Sequence, residues 1–199
     1  MNPTAAIIIP TLNIRSAAET GARAQALAGV ATCVVIVADC ERRGGIIPAN
    51  AAIQAALALE APFIVYLNDD CEIEQQGWLA RLIEALESNR VYGIACPSGN
   101  CPGGPQRTAG PGAEPGVFVV EAPLAWFCAV IRRELIAELG FFDPAFVHYC
   151  GDSDLTCRAQ AAGWKSVWVR DVYVRHLGGE VDQALKKREK ALWRSRWHK

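Results

Sequence analysis

The sequence predicts an α/β fold: a single domain with one mostly parallel central sheet flanked by helices. Three observations lead there. Short, continuously apolar runs rich in β-branched residues alternate with Ala- and Leu-rich segments of helical spacing, the pattern that builds a parallel sheet. The early runs are apolar throughout rather than every second residue, as strands covered on both faces are. With 199 residues, 51% of them hydrophobic, the chain is long enough to bury one substantial core.

Residues 5–10 (AAIIIP) form a β-branched run closed by proline and read as a buried central strand. Residues 16–27 are Ala-rich and helix-compatible, with Ser16 as N-cap and Glu19 at the capping-box spacing. A second buried strand is expected at 32–39, a second helix at 49–59 and a third strand at 62–69. From 78 to 86 the apolar residues Trp78, Leu79, Leu82, Ile83 and Leu86 recur at helical spacing. Between 97 and 116 eleven of twenty residues are Gly or Pro, which predicts a mobile loop rather than an element. Loops of that length in a compact domain are commonly lids or linkers. Residues 116–135 read as strands followed by a helix start near Arg132. Residues 152–164 read as a helix stopped at Gly163, and 166–176 alternate as a strand. Residues 1–181 are thus assigned to the domain, and 182–199 to a basic, Trp-bearing terminal helix or tail.

The formal net charge of −1 conceals an asymmetry: residues 186–199 carry seven Lys/Arg against one Glu, so the rest of the chain sums to about −7. The total charge argues against a nucleic-acid coat protein, and no apolar stretch reaches the ~18 residues of a membrane span. The first residues lack the basic region and long apolar run of a signal peptide, so a cytoplasmic protein with reduced thiols is expected. None of the eight cysteines forms a CxxC pair, although a Cys96–Cys101 bridge is geometrically possible.

Three polar constellations carry chemistry. A buried strand ending in Asn68, Asp69 and Asp70 places adjacent carboxylates where open α/β sheets bind ligands. Such acids suit Mg2+ or Mn2+ bridging to diphosphate oxygens, or simply make a polar turn. Asp152, Ser153 and Asp154 open a predicted helix, as cap and dipole partners or as a general base beside an acceptor hydroxyl. His176 closes the last strand, as a structural residue or a further metal ligand.

In this order the segments resemble the family-two inverting glycosyltransferases of the GT-A fold, the rhamnosyltransferases among them. AAIIIPTLN resembles their opening strand and turn, VVIVADC their second strand, and GGIIPANAAIQAAL their Gly-rich lead into a helix with an Asn. YLNDD resembles the strand bearing the DxD-type motif, ELGFFDPAFVHYCGDSDLTCRAQAAGW the acceptor-side segment, and VYVRHLGG the late strand ending in His. The resemblance spans roughly residues 5–180. It implies a nucleoside-diphosphate sugar donor held by Pro10, Thr11, Asp39, Asn50, Asn68 and Asp69. It implies Mn2+ or Mg2+ on Asp70 and His176, and Asp152 as the base. Trp126 and Asp154 fall on the acceptor side, Trp126 either stacking on a sugar or lying in the core.

Two departures stand out: Asn68 occupies the first DxD position, and Gly151 stands where many members have Glu. Loop 97–116 is the candidate lid. The acceptor is left open among a saccharide, a lipid-linked saccharide and a modified nucleic-acid base. For the basic tail with Trp193 and Trp197 three readings stand: peripheral contact with the inner membrane face, contact with nucleic-acid phosphates, or packing on the domain or in a homodimer. A sugar nucleotidyltransferase is the rival enzyme, but PTLNIRS lacks the Gly-rich phosphate loop after the first strand. A non-catalytic nucleotide-sugar-binding module is the rival outside enzymes.

Overall fold

The computed structural model describes residues 2–100, 105–108, 110–179 and 181–197. The elements follow in the order β1 (Ala5–Thr11), α1 (Ile14–Ala26), β2 (Thr32–Ala38), α2 (Ile46–Leu57), β3 (Phe63–Leu67), β4 (Cys71–Glu72), α3 (Trp78–Glu87) and β5 (Tyr92–Ser98). After the Gly/Pro segment come β6 (Val117–Val120), β7 (Cys128–Arg132), α4 (Arg133–Leu139), α5 (Gly151–Ala161), β8 (Lys165–Tyr173), β9 (Arg175–His176) and α6 (Gln183–Trp197).

Seven strands form one sheet in the order β2-β1-β3-β7-β5-β8-β6, and β4 pairs with β9 apart from it. β1 is parallel to β2 and β3, and β5 to β8, while β7 is antiparallel to both β3 and β5 and β6 to β8. The carboxyl ends of β1, β2 and β3 therefore meet the start of β7 along one edge. Because side chains alternate across a strand, β1 sends Ile7 and Ile9 to one face and Ala6 and Ile8 to the other. The first face is covered by α1 and α3, with Trp78, Leu79 and Leu82 buried there, and the second by α2, α4 and α5. Trp78 is a full core residue whose Nε1 donates to the Ala24 carbonyl at 3.0 Å.

Several expectations need correction. The cap of α1 is Asn13, whose Oδ1 accepts from the Arg15 and Ser16 N–H groups at 3.2 Å each. Ser16 instead donates its hydroxyl to the Asp69 carbonyl at 2.9 Å, and Glu19 pairs with Arg15 on the surface. α2 starts at Ile46, before Pro48, because proline in a first turn forfeits no helical hydrogen bond. Pro97 and Ser98 belong to β5, and the following segment is clipped down at Gln106. That buried amide donates to the Pro97 and Ala125 carbonyls at 3.2 and 3.1 Å and accepts from the Ala125 N–H at 2.7 Å. Cys101, on which the bridge to Cys96 depends, lies outside the described residues, as do residues 102–104 of the expected lid.

α6 lies against the domain through its acidic and aromatic residues. Glu189 is 1% exposed, and its carboxylate accepts from the Val147, His148 and Tyr149 N–H groups at 2.8, 3.1 and 2.6 Å. Trp193 packs against the core layer under α5, so the tryptophans of this helix are turned inward.

Candidate active site

At the end of β3, Leu67 stands opposite Cys128 of β7, and the Asn68 N–H donates to the Phe127 carbonyl at 2.9 Å. Asp69 is wired to β1 and α1. Its Oδ2 accepts from the Thr11 hydroxyl, and its carbonyl accepts from the Ser16 and Thr20 hydroxyls at 2.9 and 2.8 Å. Asp70 points to β9, with Oδ1 3.0 Å from His176 Nε2, and Asn68 Nδ2 lies 3.0 Å from the same ring nitrogen. The His176 ring stacks on Phe127, centroids 5.6 Å apart, which fixes its plane. Burial pushes the Asp70 carboxyl up, but the His176 hydrogen bond and charge, with the Asp70 and Gly178 N–H groups, outweigh it and hold Asp70 below its ordinary value.

Asp39 follows β2 and is buried. Its N–H donates to the Thr11 carbonyl at 2.8 Å, and its carboxylate accepts from the Arg43 and Gly44 N–H groups at 2.9 and 2.8 Å. Gly44 has φ +103°, and a Cβ there would sit 2.3 Å from Val147 Cγ1, so this loop admits only glycine. Pro10 precedes Thr11 in β1, opposite Val37. Asn50 is a brace: its Nδ2 donates to the Phe142 carbonyl at 2.9 Å and its Oδ1 accepts from the Phe142 N–H at 3.0 Å. Both ends of its amide thus hold the Phe142 backbone, a supporting contact.

Asp152 is the second residue of α5, following Gly151 and the cap residue Cys150, whose φ is +60°. Its Oδ2 accepts from the Trp126 N–H at 3.3 Å and its Oδ1 from the Ser153 N–H at 2.7 Å. Burial nonetheless raises its pKa. The start of β7 thus touches both acid groups, through Phe127 to Asn68 and through Trp126 to Asp152. The phenol of Tyr66, which packs beside Trp126, is raised by burial and then by the fields of Asp152, Cys71, Asp69 and Asp70 together. Acid groups about eighty residues apart in sequence are therefore linked to adjacent residues, Trp126 and Phe127, at the carboxyl edge of the sheet.

Of the two acceptor-side residues, Trp126 takes the core reading and Asp154 is turned away from Asp152. Trp126 is 4% exposed and sits in an aromatic cluster with Tyr66 and Phe142, centroids 6.5 and 5.6 Å away, so its ring is core rather than an open stacking face. Asp154 is buried beneath α6, where its carboxylate meets Arg158 at 3.0 Å, Arg196 at 3.3 Å and Trp197 Nε1 at 3.1 Å. Two residues along a helix turn the side chain about 200°, so Asp152 and Asp154 face opposite ways.

Gly151, which departs from the Glu of the resembling family, packs against Ile46 of α2. A Cβ there would lie 2.4 Å from Ile46 Cδ1, so any side chain requires Ile46 to move. Glu189 escaped notice, although a lone acid within a run of cations was the available signal.

A divalent cation fits this edge only together with a ligand. Among the described residues no cluster of three His, Cys, Asp or Glu side chains could hold a metal unaided. An ionised Asp70 beside an imidazole nitrogen nevertheless supplies the one or two protein donors that Mg2+ or Mn2+ uses when diphosphate oxygens complete its shell.

Comparison with solved structures bears on this architecture. The mannosyltransferase PcManGT from Pyrobaculum calidifontis, in complex with GDP-Man and Mn2+, superposes with a TM-score of 0.61 at 16% identity, covering 99% of this chain and 62% of that one. The catalytic domain of Drosophila β1,4-galactosyltransferase 7, complexed with xylobiose, gives 0.63 at 14% identity, covering 98% and 81%. The chain has the GT-A fold. Staphylococcus aureus TarS in complex with UDP shares it too, with a TM-score of 0.63 at 16% identity, covering 86% of this GT-A chain and 59% of that one. No family model matches the chain. In sequence it is 37% identical over 59 residues to N-acetylglucosaminyl-diphospho-decaprenol L-rhamnosyltransferase of Mycobacterium tuberculosis. That stretch is 28% of this GT-A chain and 19% of the relative, so the match spans under a fifth of the longer protein.

Proposed function

We propose that the chain is an inverting glycosyltransferase that moves a sugar from a nucleoside-diphosphate donor to an acceptor hydroxyl, with Asp152 as general base. One observation supports the reading: the Asn68–Asp70 turn and Asp152 are hydrogen-bonded to neighbouring residues at the start of β7, Phe127 and Trp126, at the edge where α/β sheets bind ligands. The relatives bound to GDP-Man and UDP support the donor class, and the mycobacterial relative's lipid-linked name supports an acceptor hydroxyl on a saccharide.

Thr11 and Asp39 shape the mouth for the nucleoside, the former through its hydroxyl on Asp69, the latter by ordering the Arg43–Gly44 backbone. Asp70, kept ionised by His176, would hold the divalent cation with that imidazole. Such a cation supplies Lewis-acid stabilisation of the departing diphosphate. Asp152 takes the acceptor hydroxyl proton as the oxygen bonds to the anomeric carbon. The bond from that carbon to the diphosphate oxygen breaks on the opposite face, and the leaving group keeps that electron pair. A phosphate leaving group requires no general acid, which separates this scheme from two-carboxylate hydrolysis. Burial raises the basicity of Asp152, and the Trp126 and Ser153 N–H groups aim its oxygens.

The test begins with calorimetric titration of nucleoside diphosphates in Mn2+, then transfer assays on the donor that binds. Asp70→Ala and chelator should both remove nucleotide affinity. Asp152→Asn should keep that affinity and lower kcat by about 10²–10⁴-fold. Transfer at full rate by Asp152→Asn, or in excess chelator, refutes the respective assignment.

A further inference from the structure

We propose that the carboxyl edge of the sheet, together with the outer face of α6, seats on an anionic lipid bilayer, so that the candidate site opens onto the membrane. The docking stands on the surface alone. Its corollary, an acceptor hydroxyl on a lipid-anchored molecule, rests on the sugar-transfer reading.

Large aliphatic side chains stand in solvent around this edge. Leu12 and Ile14, 65% and 61% exposed, flank Asn13, whose N–H is held by Thr11 Oγ1. Leu177, 55% exposed, follows His176 and donates its N–H to the Asp70 carbonyl at 3.0 Å. Ile47 in the first turn of α2 and Val181 just before α6 are also exposed. Single exposed aliphatics need no explanation, but Leu12, Ile14 and Leu177 adjoin Thr11, Asp70 and His176 of the candidate site.

α6 adds charge beside them. Its start is tied to the same edge, since the Asp182 N–H donates to Tyr149 Oη at 3.0 Å and Lys186 Nζ lies 5.8 Å from the Tyr149 ring centre. With Glu189, Trp193 and Trp197 turned inward, Lys186, Lys187, Arg188, Lys190 and Arg194 are left exposed. Among the described ion pairs only Arg188 has an acid, buried Glu189 at 3.8 Å. The acids nearby are answered: Glu41 pairs with Arg43 at 3.2 Å, and Asp182 caps the Leu185 N–H at 2.9 Å.

Cations alone would suit nucleic-acid phosphates as well as lipid headgroups, but a phosphate backbone has no use for exposed Leu and Ile side chains. A bilayer takes both, headgroups meeting the lysines and the acyl boundary meeting the aliphatics. Because the tryptophans face the core, α6 lies on the headgroups without inserting.

Vesicle sedimentation of the full chain tests this, with calorimetric nucleotide binding measured in parallel. Binding is expected to vesicles rich in phosphatidylglycerol and not to phosphatidylcholine, and it should fall on the order of tenfold when salt is raised to about 1 M. The combined Lys186→Glu, Lys187→Glu, Lys190→Glu variant should lose it. So should Leu12→Ser with Leu177→Ser, with circular dichroism unchanged in both. Equal binding to neutral vesicles, no vesicle binding, or tighter binding to duplex DNA that ignores the Leu substitutions overturns the proposal. Nucleotide binding without vesicle binding sinks the docking and spares the transferase. Vesicle binding without nucleotide binding does the reverse.

Discussion

Replacing Glu189 with Ala perturbs the structure at a point that composition gives no reason to suspect. Its carboxylate is the shared acceptor for three successive N–H groups, at 2.8, 3.1 and 2.6 Å, and it is buried where α6 meets residues 147–149. A hydrogen bond to a charged group is worth about 1.5–3 kcal/mol, and three to one carboxylate do not add in full. His148 is exposed and Tyr149 partly so, which lets water replace part of the loss. The expected cost is therefore about 2–4 kcal/mol, or roughly 5–15 °C in Tm for a domain of this size. Glu189→Gln keeps one acceptor oxygen and should lose about half as much. Urea unfolding followed by tryptophan fluorescence measures both. The same three residues lead through Cys150 into Asp152, so kcat should fall further than nucleotide affinity. A loss under about 1 kcal/mol for Glu189→Ala would refute the reasoning, because the N–H groups would then be satisfied without the carboxylate.

Asp152 yields a prediction of opposite sign for stability and activity. Its folded pKa lies above the unfolded value, so the ionised form is disfavoured by folding at neutral pH, and the stability it contributes when protonated is lost as pH rises through the folded pKa. Asp152→Asn should thus raise Tm at pH 7 while lowering kcat by about 10²–10⁴-fold, with the gain in Tm shrinking as pH falls toward the ordinary carboxylate range; a lower Tm at pH 7 contradicts this. The wild-type rate should rise with pH along a limb whose midpoint lies above that of an ordinary aspartate, and a limb at or below it would remove Asp152 from the base role. Gly151→Ala should cost no more than about 1 kcal/mol, since its Cβ meets only the terminal Cδ1 of Ile46 and alanine favours the helix, and Ile46→Val in the same chain should remove that cost. An unchanged urea midpoint for Gly151→Ala would mean that the Ile46 side chain yields freely.

The buried strands β1 and β3 were legible because an unbroken β-branched run of that length has few other homes, but β2, expected to be buried in the same way, lies at the sheet edge and is only half-buried along its length. Helix starts were less so. Whether Asn13 or Ser16 caps α1 is decided by Thr11 and Asp69, which reach them through space. Pro97 reads as loop by composition, yet it pairs with Val169 in β5, just before a register shift. At the site, Asp70 and Asp152 stood out because motif order located them. Asp154 misled, since a carboxylate beneath a docked helix has the same local sequence as one facing a cleft, whereas Trp126 took the core reading of the two left open. Only the burial of Asp154 by Arg196 and Trp197, about forty residues downstream, separates the cases.

The reversed direction of β7 has a consequence for how such a molecule can change. Its first residues arrive at the working edge from outside the sheet, and the chain ahead of them is pinned by the Gln106 side chain at Ala125. Chain length between that pin and β6 can vary while the strand itself stays in register with β3. Variation in the chain ahead of β7 can therefore change what meets Asp152 while the ends of β1, β2 and β3, with Thr11, Asp39 and Asp69, stay undisturbed.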